Sequence, residues 1–150
     1  MKKNFLLVLV LLVLAAVPAF SQTARYLDTL LENPAVNWQD AAFVILSAAG
    51  TTQGINTPAA AFAAATEQGL LPANAEAEKT IRLDEASFLI MGAFEMKSGF
   101  MYSLFPGPRY AYRELLYQKL IQGRSDPAFT VSGDRLLRII GRVLDYKGDM

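Results

Sequence analysis

The stretch Ile81–Ala86, which reads IRLDEA, returns fifty residues later as Val131–Leu136, which reads VSGDRL, and this return decides the fold. Each stretch opens with a β-branched residue and runs on into an apolar pattern with helical spacing. The match continues outward without a gap, so that Pro58 meets Pro108. A period of this size usually means one supersecondary unit used several times, each copy burying its apolar face against the next.

The repeat predicts helices of two alternating types. Helices of the first type begin near residues 36, 81 and 131, and Asn37 and Ser132 are placed to cap two of the three copies. Helices of the second type begin with a proline, whose missing N–H costs nothing at the first helical position. The pattern predicts this second type over about Pro58–Gln68 and Pro108–Ile121.

These elements combine into an all-α fold. A shorter opening helix is predicted over Thr23–Leu31, which brings the helices to six. No stretch alternates with a period of two for long enough to predict a strand. We expect three helix-loop-helix units packed in one domain that spans residues 22–150, with the units at about 24–49, 57–97 and 107–146.

The first residues predict an export signal. Lys2 and Lys3 precede an uninterrupted apolar run from Phe5 to Val17, and small residues then place signal-peptidase cleavage after Ala19 or Ser21. The alternative is a retained membrane anchor, but this run rises only about 20 Å as a helix, against a hydrocarbon core of about 30 Å. We therefore expect residues 1–21 to be a signal peptide and the protein to be exported to the periplasm or cell surface. Only the uncleaved segment would attach it to a membrane.

The composition argues against catalysis and against nucleic-acid binding. The chain has no His and no Cys, so the usual general base, the thiol nucleophile and the commonest metal ligand are all missing. Asp84, Glu85 and Glu95 are expected to cap a helix or to face solvent. Equal numbers of basic and acidic residues, 14 of each, leave no basic excess for phosphate. We expect a non-enzymatic protein that needs no cofactor or metal and binds no nucleic acid.

The third unit carries motifs in a recognisable order. An aromatic, proline-containing lead-in is followed by a helix start with tyrosines and a Glu, by a Leu-Ile-x-Gly turn, and by a helix start of the Ile-Thr-Arg-Ala-Glu kind. These motifs lie at Tyr102–Leu115, Lys119–Gly123, Asp126–Phe129 and Val131–Leu136, with weaker counterparts at Gly69–Pro72, Ile81–Ala86 and Val36–Ala48. In this respect the chain, from about residue 36 to residue 145, resembles S-layer homology repeats.

The resemblance implies short helical modules, usually in threes, that hold exported proteins to cell-wall polysaccharide or peptidoglycan. This chain departs from the family at one principal ligand contact, because the motif arginine is replaced by Trp38, Leu83 and Gly133. The motif glutamate is kept as an acidic residue in two copies and becomes Arg135 in the third. Two functions are therefore open: binding of cell-wall glycan or peptidoglycan, or a protein-interaction or scaffold role in an envelope complex with a degenerate glycan site.

Two sets of residues are candidates for ligand binding. The first is an aromatic and cationic cluster suited to sugar faces and to carboxylates, formed by Tyr102, Arg109, Tyr110, Tyr112 and Arg113. Its alternative is that the rings fill space between helix pairs. The second set is an arginine stripe that would face anions, formed by Arg135, Arg138 and Arg142. Its alternative is a solvated helix face on which Asp134 pairs with Arg138.

Overall fold

The computed structural model describes residues 17–51 and 53–149, with side chains from residue 24 onward. These residues form seven helices and no strand, so the predicted all-α class is confirmed. The helices are α1 Val17–Glu32, α2 Trp38–Ala48, α3 Pro58–Glu67, α4 Leu83–Ala93, α5 Phe100–Leu104, α6 Pro108–Tyr117 and α7 Gly133–Gly148. No helix within the described ranges is long and apolar enough to cross a membrane.

Three backbone hydrogen bonds form a closed ring at the centre of the fold. The amide of Val36 donates to the carbonyl of Val131 at 2.9 Å, Ile81 donates to Val36 at 2.9 Å, and Val131 donates to Ile81 at 3.2 Å. All three residues are completely buried. Buried backbone groups need hydrogen-bond partners, and each of these three residues donates one bond to one neighbour and accepts one from the other.

The first amides of α2, α4 and α7 extend this ring. Each of these amides lacks a partner within its own helix and donates instead to a carbonyl from another segment. Trp38 donates to Lys79, Leu83 donates to Phe129, and Gly133 donates to Asn33, at 2.8 to 3.0 Å. The last of these bonds joins the C-terminal helix to the loop before α2. The chain is therefore closed into a ring of three helix starts.

The helices pair differently from the predicted units. Each predicted unit joins two helices that are consecutive in the chain, whereas in the structure α3 packs mainly on α2, α6 packs on α4, and α1 packs on α7. The opening helix of a predicted unit therefore packs on the closing helix of the unit before it, as α3 does on α2 and α6 does on α4. The core contains the largest fully buried side chains, Val36, Trp38, Ile45, Leu46, Ile81, Leu83, Leu89, Ile90, Met91, Leu115, Leu136 and Ile139.

The fifty-residue register holds in the observed helix boundaries. Helices α3 and α6 begin and end fifty residues apart, and α4 and α7 begin fifty residues apart. Gly69 and Lys119 follow the ends of α3 and α6, and both have left-handed backbones, with φ of 68° and 59°. This left-handed step ends α6 at Tyr117, four residues before the predicted Ile121, because a residue in that conformation cannot continue a right-handed helix.

Two elements differ from the sequence-based expectation at other places. Helix α1 is longer than the predicted Thr23–Leu31 and runs through the predicted cleavage positions, Ala19 and Ser21. The rest of the predicted signal peptide, residues 1–16, lies outside the described residues. Helix α5 was not predicted at all, because Ser98–Gly99 indicates a turn and α5 buries none of its residues. Five residues are also too few to establish a helical period in the sequence.

Candidate ligand-binding clefts

The larger candidate site is a cleft of about 410 Å³ along the first half of α7. It brings together all three arginines of the predicted stripe. The lining residues are Gln122, Gly123, Ser132, Asp134, Arg135, Arg138, Ile139 and Arg142. We call this site the arginine cleft. Asp134 is the only carboxylate among its lining residues, so the lining carries an excess of two positive charges.

Hydrogen bonds to neighbouring groups hold the three guanidinium groups at the arginine cleft. Arg142 donates through Nη1 to the carbonyl of Leu120 at 3.2 Å, and Arg135 donates through Nη2 to the carbonyl of Arg124 at 3.0 Å. Arg138 donates through Nε to Oδ1 of Asp134 at 3.0 Å, the predicted pair. A guanidinium has five N–H donors, so donors remain on each arginine for an anion. Arg138 is the most exposed of the three arginines.

The start of α7 is a local consequence of sequence. Ser132 accepts a hydrogen bond from the amide of Arg135 at 3.3 Å and so caps the helix as predicted. Gly133 is buried, and a Cβ built there would overlap the backbone carbonyl of Leu30 at the end of α1. The close approach of two backbones therefore requires glycine, and it positions the arginines that follow.

The smaller candidate site is a cleft of about 210 Å³ beside α5 and α6. It joins three of the five predicted ligand residues, and its lining consists of Met101, Tyr102, Tyr110, Arg113 and Glu114. We call it the aromatic cleft. Partial burial of the ring raises the pKa of the Tyr102 phenol above its ordinary value.

The other two members of the predicted aromatic cluster do not meet there. Tyr112 is only 7% exposed and belongs to the hydrophobic core, so the alternative that rings fill space between helices holds for this tyrosine. Arg109 is exposed and does not line the aromatic cleft. The sequence places all five residues within twelve positions, but a helix turns successive side chains in different directions.

The three positions that correspond to the S-layer homology motif arginine all lie in the interior. Trp38 is 1% exposed, Leu83 is fully buried, and Gly133 is buried against Leu30. No side chain at these three positions reaches the surface, so none of them contacts a ligand.

The carboxylates of α4 stabilise the helix start. Arg82 makes two hydrogen bonds to Asp84, Nε to Oδ1 at 3.1 Å and Nη2 to Oδ2 at 2.8 Å. This contact raises the pKa of the Arg82 guanidinium. Glu85 accepts from the amide of Arg82 at 2.8 Å, which is the expected capping role. Across the described ranges, no three acidic or other metal-ligating side chains cluster as a metal site would require.

The Gln122–Gly123 side of the arginine cleft was not among the predicted site residues. The fifty-residue register could have drawn attention to this side of the fold. It aligns Arg135, Arg138 and Arg142 of α7 with Glu85, Phe88 and Gly92 of α4, so the two copies differ in charge there. Comparison of the whole chain with protein-family models, with curated proteins and with solved structures returns no match. The site must therefore be interpreted from its own chemistry.

Proposed function

We propose that this protein is an exported, non-catalytic module of the cell envelope, built from three units of the S-layer homology kind, that binds acidic cell-wall glycan or peptidoglycan. The observation that carries the proposal is the gathering of Arg135, Arg138 and Arg142 around one cleft of about 410 Å³. Wall polymers bear carboxylates on their sugars and peptides, and a guanidinium binds a carboxylate with two parallel hydrogen bonds.

The size of the arginine cleft supports a sugar or short peptide as ligand. Its volume lies within the range of ordinary small-molecule sites, about 300 to 1,000 Å³. Only Ile139 among its lining residues is apolar, which suits a hydrated, charged polymer better than an apolar ligand. The aromatic cleft supplies a second contact of fitting chemistry, since Tyr102 and Tyr110 offer ring faces and Arg113 offers a cation.

A second candidate function is supported by the burial of Trp38, Leu83 and Gly133. If ligand binding in this class of fold depends on the motif arginine, a chain with no side chain at the surface in these positions has lost that contact. The protein would then act as an interaction subunit of a periplasmic or outer-envelope complex. In this case the arginine cleft would receive an acidic segment of a partner protein.

Co-sedimentation of the purified protein with isolated sacculi tests the proposal. We expect saturable pelleting that the double variant Arg135→Gln, Arg138→Gln weakens at least tenfold, because each lost charge-assisted hydrogen bond is worth about 1.5–3 kcal/mol. The matched control is Arg25→Gln, Lys79→Gln, which also removes two exposed cations, both away from the cleft. Pelleting by the control should equal that of the unchanged protein.

Two results would reject glycan binding at this cleft. One is pelleting that the double variant and the control weaken equally, since the arginines would then act only through net charge. The other is no pelleting by the unchanged protein. If crosslinking in intact cells then joins one envelope protein to the unchanged chain but not to the double variant, the second candidate function is the correct one.

A further inference from the structure

Helix α5 turns its apolar side chains toward solvent. Phe100, Met101 and Leu104 occupy positions i, i+1 and i+4, which is one face of the helix, and Phe105 follows directly after its last residue. Their exposed fractions are 75%, 49%, 53% and 59%. An apolar stripe of this spacing normally faces the core of a protein. We call these four residues the apolar face of α5.

The apolar face of α5 is held outward by contacts on its other side. Tyr102 is half-buried and packs against the hydrophobic core. The amide of Gly99, just before the helix, donates to Oε2 of Glu114 on α6 at 3.1 Å. The hydroxyls of Ser98 and Ser103 lie 3.0 Å apart. Rotating α5 to bury its apolar face would break these contacts and expose Tyr102.

Three cations flank the apolar face of α5 along the chain, and one of them, Arg113, lines the aromatic cleft beside Met101. Lys97 precedes the helix, and Arg109 and Arg113 follow it on α6, all three exposed. Across the described ranges none of them forms a salt bridge. Residues 95–119 hold four basic and two acidic side chains, and one of the two, Glu114, already accepts bonds from Gly99 and Gln118. The surface around the apolar face is therefore basic, although the whole chain has no net charge.

We propose that the apolar face of α5 docks this protein onto the surface of an anionic lipid bilayer. Aromatic and aliphatic side chains of a short amphipathic segment enter the boundary between headgroups and acyl chains, while neighbouring cations meet the lipid phosphates. One signal alone gives marginal attachment, and apolar burial combined with basic charge gives stable attachment. This surface supplies both.

The charges around α5 argue against a second copy of this chain as the occupant. In a two-fold symmetric dimer the same surface faces itself, so each copy would place Lys97, Arg109 and Arg113 near the same cations of the other. Such an interface would bury like charges without compensation. An anionic lipid surface reverses the sign of this interaction.

A probe attached to a single cysteine tests the docking directly. Because the chain has no cysteine, the variant Leu104→Cys carries one unique site for a polarity-sensitive fluorophore on the apolar face. The matched control is Ala63→Cys, at an exposed position of α3. Full-length protein is mixed with vesicles of phosphatidylglycerol and phosphatidylcholine. Since the apolar run of residues 5–17 would bring either variant to a bilayer, only the difference between the two positions reports α5.

We expect a blue shift of the emission at position 104 and none at position 63. Adding Phe100→Ser and Phe105→Ser to the labelled Leu104→Cys variant should weaken the α5-dependent binding on the order of a hundredfold, because two buried rings are lost. Arg109→Gln should weaken it about fivefold, and vesicles of phosphatidylcholine alone should give a smaller shift.

Three results would overturn the docking proposal. They are an unchanged spectrum at position 104 with vesicles, equal shifts at positions 63 and 104, and a blue shift that appears without vesicles as protein concentration rises, which would identify a second copy as the occupant. Loss of sacculus binding in the arginine-cleft variants leaves this test unaffected. The failure of the proposed function and the failure of the docking proposal are thus separable.

Discussion

Helices α4 and α7 begin fifty residues apart at equivalent points of the central hydrogen-bond ring, yet one is closed by its neighbours and the other borders an open cleft. On α4 the side chain of Leu70 packs over Gly92, so closely that an added Cβ would lie 2.6 Å from Leu70 Cδ2. On α7 the equivalent position is Arg142, which reaches the carbonyl of the equivalent residue, Leu120.

The same contrast holds one and two turns earlier. Glu85 accepts a bond from its own helix start, and the aligned Arg135 donates instead to another loop. Phe88 is partly buried, whereas the aligned Arg138 is exposed. The backbone is shared, so three side-chain exchanges turn a packed helix face into a basic cleft. Two helices can thus share their packing at the helix start while only one of them carries a basic cleft.

The largest effect on stability is expected at Gly133, where the start of α7 lies directly against the backbone of α1. Gly133→Ala should destabilise the protein by about 3 kcal/mol, because the new Cβ meets the Leu30 carbonyl and one backbone must move. Urea denaturation measures the change. The control is Gly141→Ala on the same helix, which has nothing within 4 Å and should stabilise by about 0.5–1 kcal/mol. Equal stability of the two variants would show that the approach to Leu30 is not needed.

A smaller loss of stability should separate the two Arg–Asp pairs. Arg82→Ala removes the two hydrogen bonds that Arg82 donates to the buried Asp84, which keeps only the bond from the amide of Glu85, and should cost about 2 kcal/mol. The pair of Asp134 and Arg138 is exposed, so Arg138→Ala should cost at most about 0.5 kcal/mol. Thermal unfolding of the two variants checks the difference. A larger loss for Arg138→Ala would contradict the contrast between closed and open helices.

Giving α7 the residues of α4 should remove binding with little loss of fold. The variant Arg135→Glu, Arg138→Phe is expected to lower sacculus binding at least tenfold, because two guanidinium donors are lost and a carboxylate is introduced. Its urea midpoint should stay close to that of the unchanged protein, since neither guanidinium is buried. Binding should also weaken as salt is raised. Retained binding would move the site away from the arginine cleft.

The smallest effect concerns Asp40, the residue of α2 that aligns with Glu85 and Arg135. Its Oδ1 accepts a 2.8 Å bond from the hydroxyl of Tyr26. Burial, together with this bond and the nearby negative charge, raises the pKa of Tyr26 well above 10.0. The folded state therefore keeps a proton that the unfolded state releases above about pH 10, so this contribution to stability is present at neutral pH and is lost as alkali is added.

Tyr26→Phe measures that contribution. It should cost about 1 kcal/mol at pH 7, the value of one hydrogen bond, and it should flatten the decline in stability above about pH 10. Urea titrations at pH 7 and at pH 10.5 give the comparison. An equally steep decline in the Phe variant would assign the alkaline loss to other tyrosines.

Local signals were sufficient to predict the starts of α2, α3, α4, α6 and α7 to within about two residues. Pro58 and Pro108 both occupy the first position of their helices, and Asn37 and Ser132 both cap, because these effects depend on a few neighbouring residues. The end of α6 was predicted too late, because the left-handed residue after this helix is Lys119 rather than the glycine that usually marks a helix end in a sequence. Helix α5 was missed because five residues are too few for a helical period to stand out in the sequence.

The candidate sites divide in the same way. The arginine stripe was predicted from helical spacing alone, and all three of its members line one cleft. The aromatic cluster was predicted from proximity in sequence, and the structure separates buried Tyr112 and exposed Arg109 from the other three. Positions three or four residues apart on a helix share a face, whereas neighbouring positions such as Arg109 and Tyr110 on α6 point in different directions.

The amino-acid sequence by itself determined the helical class, the fifty-residue register and the side of α7 on which the arginines lie, because periodicity, caps and prolines act over a few residues. Only the tertiary structure decided which helices pair, how Val36, Ile81 and Val131 close a ring, and which copy keeps an open cleft. Those outcomes depend on contacts between residues that are far apart in the chain, such as Leu30 and Gly133. Such contacts stabilise the protein only after the intervening chain has been brought together, at an entropic cost that local patterns do not show.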